Sequence, residues 1–235
     1  MDKKFVDILC CPETRSNLEL QIAETFPNGM IKSGVLLSKA ANTRYPIIAG
    51  VPRFVKQESY AGSFGFEWKK WARVQFDDDN IGRPMAGHTT KMFFKITDFA
   101  PEEIKNKYVI EFGCGPGRFL DVVRKHGGIA IGIDMSGAVE PARQNFQDDP
   151  DTLIVQGDIG HPPFKPNTFD LGYSIGVLHH TPEPVKGLLQ LIKVLKPGAK
   201  AACCVYPKAG WYAYPVLTRL LRSARNDSLC VKEFQ

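Results

Sequence analysis

From Tyr108 onward, the hydrophobic positions of the chain follow two alternating periods. Short runs rich in β-branched and aromatic residues indicate strands, and apolar residues three or four positions apart indicate helices. The predicted strands are residues 108–112, 129–133, 152–156, 169–174 and 199–205, and the predicted helices are residues 117–126, 137–147 and 183–195. Strands that alternate with helices build a parallel sheet with helices on both faces. The pattern therefore predicts an α/β fold with a doubly wound, Rossmann-like sheet in residues 101–235.

The first 56 residues have a different, β-rich pattern. Three short runs, at residues 18–22, 34–37 and 45–48, predict strands, and prolines and glycines occupy the turns between them. A unit of this size buries little apolar surface, so its stability depends on a metal, on disulfides or on a partner surface. We expect residues 1–56 to form a small separate domain.

Residues 57–100 interleave aromatic residues with charges. Phe64, Trp68 and Trp71 have the spacing of one helical face. Two interpretations stay open for this segment: a helical connector packed on the next domain, or a lid over a bound ligand.

Composition and charge exclude few classes of function. The net charge of +5 comes without a dense run of Lys and Arg, so it gives little support to a nucleic-acid partner. The charged N-terminus lacks the apolar core of a signal peptide, and no apolar run reaches membrane-spanning length. We therefore expect a cytoplasmic protein with free thiols. The basic, amphipathic pattern of residues 216–222 leaves peripheral membrane contact through the C-terminal tail open, and the oligomeric state is also open.

A glycine-rich loop follows the first strand of the predicted sheet. Gly113, Gly115 and Gly117 alternate behind Glu111, and only glycine lets a backbone turn this tightly and approach a ligand closely. Such a loop at the carboxyl end of a strand suits a nucleoside cofactor. An ordinary glycine-rich turn is the alternative interpretation.

Two further carboxylates end the next two strands. Asp134 lies 17 residues after Gly117, where a nucleotide-binding sheet places an acid against the ribose hydroxyls, and Asp158 ends the third strand. Asp134 could instead cap the following helix, but we expect Ser136 to be that cap. The three acids at three strand ends predict a nucleoside site.

These segments, with the run from Phe169 to His180 and with Val194-Leu-Lys-Pro-Gly198, resemble the motifs of class I S-adenosylmethionine-dependent methyltransferases. The resemblance implies that S-adenosyl-L-methionine is the cofactor. It also implies these roles: the loop with Gly113, Gly115 and Gly117 passes under the methionine portion, and Glu111 and the Ser174 carbonyl lie near its ammonium group. Asp134 would hold the ribose, and Asp158 with the backbone of Ile159 would contact the adenine. Cys114 and Met135 are also expected to bind the cofactor.

The same resemblance implies methyl transfer to a small-molecule, lipid or sugar-intermediate acceptor. The methyl group is already activated, so a base is needed only for a protonated acceptor. His179 and His180 are the candidate catalytic residues and Tyr173 is a weaker candidate; a structural role for the two histidines is the alternative. A cofactor-binding but inactive scaffold or activator partner is the second functional hypothesis. No nucleic-acid acceptor is expected, because the fourth strand lacks the Asn/Asp-Pro-Pro-aromatic signature used for flipped bases.

The N-terminal unit resembles the zinc-ribbon module of a methyltransferase activator subunit, through the segments at residues 9–12, 31–36 and 43–53. Zinc-binding relatives would carry cysteines at four positions, which here hold Cys11, Thr14, Ser38 and Ala41. One cysteine cannot complete a tetrahedral site, so we predict no structural zinc and expect packing to hold the module.

The resemblance extends to both flanks of the methyltransferase-like region. The connector is similar to that of bacterial fusion proteins, which implies that Tyr60 and Phe64 touch the carboxylate end of the cofactor. At the other end, five strands are predicted where the family has seven, so the domain is expected to be C-terminally short.

Overall fold

Two sheets organise the chain, and the computed structural model describes residues 1–55 and 72–205. The first sheet is antiparallel, with its strands in chain order. These strands are β1 (Glu19–Thr25), β2 (Ile31–Ser38), β3 (Thr43–Ile48) and β4 (Val51–Pro52). A short 3-10 helix, Lys3–Ile8, precedes them and begins where the Asp2 carboxylate accepts a hydrogen bond from the Lys4 backbone N–H at 2.8 Å.

The second sheet is parallel throughout, in the order β7-β6-β5-β8-β9. Its strands are β5 (Tyr108–Phe112), β6 (Ile129–Asp134), β7 (Thr152–Gln156), β8 (Phe169–Ile175) and β9 (Leu195–Cys204). The order reverses between β5 and β8, and ligands of such sheets bind at the carboxyl ends of the strands beside this reversal. The predicted doubly wound, Rossmann-like sheet is confirmed.

The helices are α1 (His88–Thr97), α2 (Pro101–Ile104), α3 (Arg118–Lys125), α4 (Val139–Asn145) and α5 (Pro184–Val194), with 3-10 turns at Asp78–Asn80 and Leu178–His180. The predicted helical positions Phe64, Trp68 and Trp71, the lid residue Tyr60 and the tail after residue 205 lie outside the described residues. Within those residues, no helix is long and apolar enough to cross a membrane.

Two of the differences from the predicted boundaries can be traced to particular residues. Strand β9 begins at Leu195 and not at residue 199, because Leu195 pairs with Phe169 and the register then shifts before Leu171 meets Lys200. Helix α4 begins at Val139, and Ser136 is not its cap. The Ser136 hydroxyl instead accepts a hydrogen bond from the Ala138 backbone N–H at 3.2 Å, inside the turn before the helix.

The two faces of the parallel sheet are covered by different parts of the chain. One face packs on α1, α3 and α4, with Phe93, Phe119 and Ala142 in the buried cluster. On the other face, Ile110 and Ile131 share a continuous apolar cluster with residues of α5 and of the N-terminal sheet. Residues 1–55 therefore contribute to the main core, while the domain boundaries at 56 and 100 stay predictions.

The N-terminal module meets the parallel sheet at the edge strand β7. Arg53 forms a parallel bridge with Gln156, and the Phe54 backbone N–H donates to the Gln156 carbonyl at 2.8 Å. The buried Arg53 guanidinium donates to Gln156 Oε1 at 2.7 Å and to Glu140 Oε1 at 2.6 Å. Gln156 Nε2 in turn donates to the Met135 carbonyl at 3.2 Å. The module therefore pairs with the last residue of an edge strand, at a position that an open sheet would leave unpaired.

Hydrogen bonds connect the positions where a zinc ribbon would hold its metal. Cys11 Sγ lies 3.3 Å from Tyr45 Oη, and Ser16 Oγ lies within hydrogen-bonding distance of both Thr14 Oγ1 and Ser38 Oγ. Burial alone raises the pKa of the Cys11 thiol, but hydrogen bonds from Thr14, Tyr45 and Ser38 outweigh it and lower the pKa to about 7. Across the described ranges, no group of three or more His, Cys, Asp or Glu could hold a metal ion.

Apolar packing adds to this polar network. Ile47 is buried, and the rings of Tyr45 and Phe54 lie 4.7 Å apart. The module is thus held by both kinds of contact within the described residues.

We predict that Arg53→Met lowers the free energy of unfolding by about 1–3 kcal/mol, because buried hydrogen-bonding groups of Gln156 lose their partner. Lys4→Met is the matched control: its ion pair with Asp151 also joins module and sheet but is over a third exposed, so removing it costs at most about 1 kcal/mol. Urea unfolding of both variants measures the difference, and equal losses would contradict the importance of the Arg53 contact.

Candidate active site

A cavity of about 460 Å³ opens at the carboxyl ends of β5, β6, β7 and β8, beside the reversal of strand order. Of the residues predicted to bind the cofactor, those that line it are Glu111, Gly113, Cys114, Gly115, Asp134, Met135, Asp158 and Ile159. Gly117 and Ser174 do not line it. Ser174 is fully buried, and its hydroxyl donates to the Phe112 carbonyl at 2.9 Å.

The glycine loop forms the cavity floor because its backbone adopts angles that other residues avoid. Gly113, Gly115 and Gly117 have φ angles of +80°, +51° and +93°. A Cβ on Gly113 would collide with the Val177 side chain, and one on Gly117 would lie 2.7 Å from the ring of Phe146. The loop therefore keeps its main chain open toward a ligand while its other side is packed.

Asp134 joins the end of β6 to the glycine loop. Its Oδ2 accepts from the Gly115 backbone N–H at 2.9 Å, and its Oδ1 accepts from the Ser136 backbone N–H at 2.8 Å and from the Ser136 hydroxyl at 2.7 Å. A carboxylate has roughly four acceptor sites, so protein donors occupy most of them. Asp134 thus holds the loop in place and keeps limited capacity for a ligand hydroxyl.

Asp158 faces the cavity from the segment after β7. Its Oδ1 accepts from the Gly160 backbone N–H at 2.7 Å, and His161 Nδ1 lies 3.0 Å from its Oδ2. His161 Nε2 lies 3.0 Å from Lys186 Nζ. Because an ammonium group can only donate, Lys186 donates to His161 Nε2, and the other ring nitrogen, Nδ1, faces Asp158.

Glu111 is the most deeply buried of the three acids, with 2% of its surface exposed. Burial raises its pKa well above the usual value; the Tyr173 hydroxyl, which donates to Oε2 at 3.2 Å, and the Arg118 charge lower it, and Asp134 raises it further. Tyr173 itself is fully buried beneath the rings of Phe93 and Phe119. Tyr173 therefore supports Glu111 from the core and does not line the cavity.

The two candidate histidines occupy different positions. Both belong to the 3-10 turn Leu178–His180, and their rings lie 4.0 Å apart. His180 is exposed and lines the cavity together with Thr181, whereas His179 is not part of the lining. Burial, and then the neighbouring His180, lower the pKa of His179.

Several lining residues were not predicted from the sequence: Gln75, Pro116, Arg118, Phe119, Ser136, Ile175, Gly176, Val177 and Thr181. Most of them flank a recognised motif and could have been inferred from it. Gln75 could not, because it comes from the connector and no local pattern marks it.

The lining chemistry fits a nucleoside cofactor that carries an amino acid. A floor of glycine main chain admits a ligand closely, and carboxylates at separate strand ends suit hydroxyl, ammonium and amino donors.

Comparisons with known proteins agree with this chemistry. Residues 110–203 match the family described as Methyltransferase domain, and residues 2–50 match the family described as Trm112p-like protein. The chain is 29% identical over 99 residues to a ubiquinone biosynthesis O-methyltransferase of Coxiella burnetii, covering 41% of this chain and 42% of that protein. It is 30% identical over 103 residues to a tRNA U34 carboxymethyltransferase of Pseudoalteromonas atlantica, covering 42% of this chain and 32% of that protein. The chain thus spans less than half the length of these curated relatives.

Solved structures resemble the chain over a larger share. A protein of Methanococcus maripaludis, inferred to be an S-adenosyl-L-methionine-dependent methyltransferase, aligns with a TM-score of 0.50 at 16% identity, covering 72% of this chain and 75% of that one. A complex of the Haloferax volcanii Trm112 methyltransferase activator with an inferred methyltransferase aligns with a TM-score of 0.48 at 23% identity, covering 73% and 72%. At 16% identity, the similarity to the Methanococcus maripaludis protein concerns the fold alone.

Both resemblances inferred from the sequence are confirmed, and S-adenosylmethionine is the cofactor that such a domain uses. Residues 110–203 therefore form a domain of the family described as Methyltransferase domain, and residues 2–50 form a Trm112p-like module.

Proposed function

We propose that this protein transfers a methyl group from S-adenosylmethionine to a small-molecule, lipid or sugar-intermediate acceptor. One observation carries the proposal: a single cavity is lined by the glycine loop, by three strand-end carboxylates and by His180 and Thr181. The name of the Coxiella burnetii relative supports a small acceptor that is methylated on oxygen. The name of the Pseudoalteromonas atlantica relative points to tRNA, but the mild net charge of +5 gives that acceptor less support.

In the proposed site, each carboxylate serves a different part of the cofactor. Glu111 would face the ammonium group, Asp134 a ribose hydroxyl and Asp158 the adenine amino group. The cofactor supplies a methyl group on an activated sulfur, so the protein mainly has to align the acceptor with it and exclude water. His180 would take the proton of a hydroxyl acceptor, and Thr181 lies beside it on the cavity wall.

A scaffold or activator role is the second candidate function. The Trm112p-like module favours it, since the protein family matched by residues 2–50 includes a methyltransferase activator in the Haloferax volcanii complex. The open cavity argues against a scaffold role, because a protein that only holds a partner does not need a glycine loop and three carboxylates that line one cavity.

Calorimetry with S-adenosylmethionine and S-adenosylhomocysteine is the first test of the proposal. Binding of both is expected, and absence of binding would reject a methyltransferase function. Transfer of an isotope-labelled methyl group into a metabolite extract, followed by mass spectrometry, then separates an enzyme from a scaffold, which would bind the cofactor without labelling any product.

We expect Asp134→Ala to weaken S-adenosylhomocysteine binding more than about tenfold, because both a ligand contact and the anchor of the Gly115 N–H are lost. Ser136→Ala is the matched control: it removes a competing donor to Asp134, so affinity should stay within about twofold or rise. Calorimetry decides, and an unchanged Kd in Asp134→Ala would contradict the ribose assignment.

The raised pKa of Glu111 predicts that the contribution of this residue to the stability of the cofactor-free protein falls as pH rises. Below the ordinary value of 4.5, Glu111 is protonated in both the folded and the unfolded chain. Above it, only the unfolded chain ionises readily, so the free energy of unfolding falls by up to about 1.4 kcal/mol per pH unit until the folded carboxyl also ionises.

Urea unfolding between about pH 4 and pH 8 measures how the free energy of unfolding depends on pH. The Glu111→Gln variant has no carboxyl to ionise at this position, so it should lack the contribution of Glu111 to that dependence. Tyr173→Phe removes a hydrogen bond that lowers the pKa, so the fall should extend to higher pH. Parallel curves for the wild type and Glu111→Gln would show that Glu111 is not the group responsible.

A further inference from the structure

One polar atom of the cavity wall lacks a partner. The side-chain oxygen of Gln75, Oε1, is buried, and no residue of the described ranges 1–55 and 72–205 donates a hydrogen bond to it. A buried carbonyl oxygen without a donor is unfavourable, because it has lost its hydrogen bonds to water and forms none with the protein. A donor on a bound ligand would resolve this.

The main chain around Gln75 is fixed by three side-chain hydrogen bonds. The Thr89 hydroxyl donates to the Gln75 carbonyl at 2.6 Å, and Asn80 Nδ2 donates to the carbonyls of Val74 at 2.9 Å and of Phe76 at 2.8 Å. Phe76 is almost completely buried in the core. The backbone is therefore held so that the Gln75 side chain stays at the cavity, which is the arrangement expected of a preorganised ligand contact.

Neighbouring contacts locate Gln75 along the cavity. Arg73 Nη1 donates to Asn145 Oδ1 at 3.5 Å, and Asn145 Nδ2 donates to the carbonyl of Pro116 in the glycine loop at 3.0 Å. Phe76 belongs to the same apolar cluster as Phe119, at the start of α3. Gln75 therefore approaches from the side of the glycine loop, whereas Asp158 comes from the segment after β7.

We propose that Gln75 positions the amino-acid end of the cofactor by accepting a hydrogen bond from its α-ammonium group. This inference rests on the proposed function, which places the methionine portion over the glycine loop. An amide oxygen suits this place, because it can accept a hydrogen bond from an ammonium group, which can only donate. Gln75 would thus help to hold the sulfur and its methyl group in register with the acceptor.

The test combines protein variants with a truncated ligand. Calorimetry compares S-adenosylhomocysteine with 5′-methylthioadenosine, which has the same nucleoside and no amino-acid group. Gln75→Leu is expected to weaken S-adenosylhomocysteine binding about tenfold, as for loss of a hydrogen bond to a charged group, and to change 5′-methylthioadenosine binding less than about twofold.

Two further variants sharpen the comparison. Gln75→Glu keeps an acceptor oxygen and should retain S-adenosylhomocysteine binding within about threefold. Gln147→Leu makes the same chemical change at an exposed position that does not line the cavity, and it should leave both ligands unaffected.

The outcomes separate this inference from the proposed function. If the wild type binds neither ligand, the proposed function fails and the inference falls with it. If the wild type binds both, then an equal effect of Gln75→Leu on the two ligands, or no effect on either, overturns the role of Gln75. Unchanged binding with slower methyl transfer would also overturn it, since Gln75 would then contact the acceptor.

Discussion

The parallel sheet must bury both of its faces, and the rest of the structure follows from how this chain meets that requirement. Helices α1, α3 and α4 cover one face, while α5 and the N-terminal module cover the other. Since all five strands point the same way, their carboxyl ends meet at one edge and the cavity forms there. The module is therefore part of the core that supports the sheet on which the cavity lies.

The acids of the cavity hold its walls together as well as facing it. Asp134 anchors the glycine loop through Gly115, and Asp158 organises its own turn through Gly160. Glu111 instead accepts a hydrogen bond from the buried hydroxyl of Tyr173. A ligand must therefore share carboxylate oxygens that already accept hydrogen bonds from the protein. These side chains are preorganised, so a substitution of one of them disturbs both the cavity wall and the contact with the ligand.

Much of the fold could be predicted from sequence, because the strands of the parallel sheet are buried apolar runs between clear turns. Strands β5 and β7 agree with the prediction at both ends. The start of β9 was missed because Lys196-Pro-Gly198 is typical of a turn, whereas the edge strand absorbs these residues in a bulge with Gly198 at φ +78°. Gln75 was missed for a different reason: its place depends on the path of the connector through space, which no local periodicity encodes.

The contact between Arg53 and Gln156 has a consequence for how the protein responds to dilution. Arg53 and Gln156 belong to one chain, so the module meets the sheet at a high effective concentration set by the intervening polypeptide. An association of two separate subunits weakens as the protein becomes scarce, whereas this one is independent of protein concentration. The pairing at Gln156, and the hydrogen bond from Gln156 to the Met135 carbonyl, would therefore be the same in one isolated molecule as in a concentrated solution.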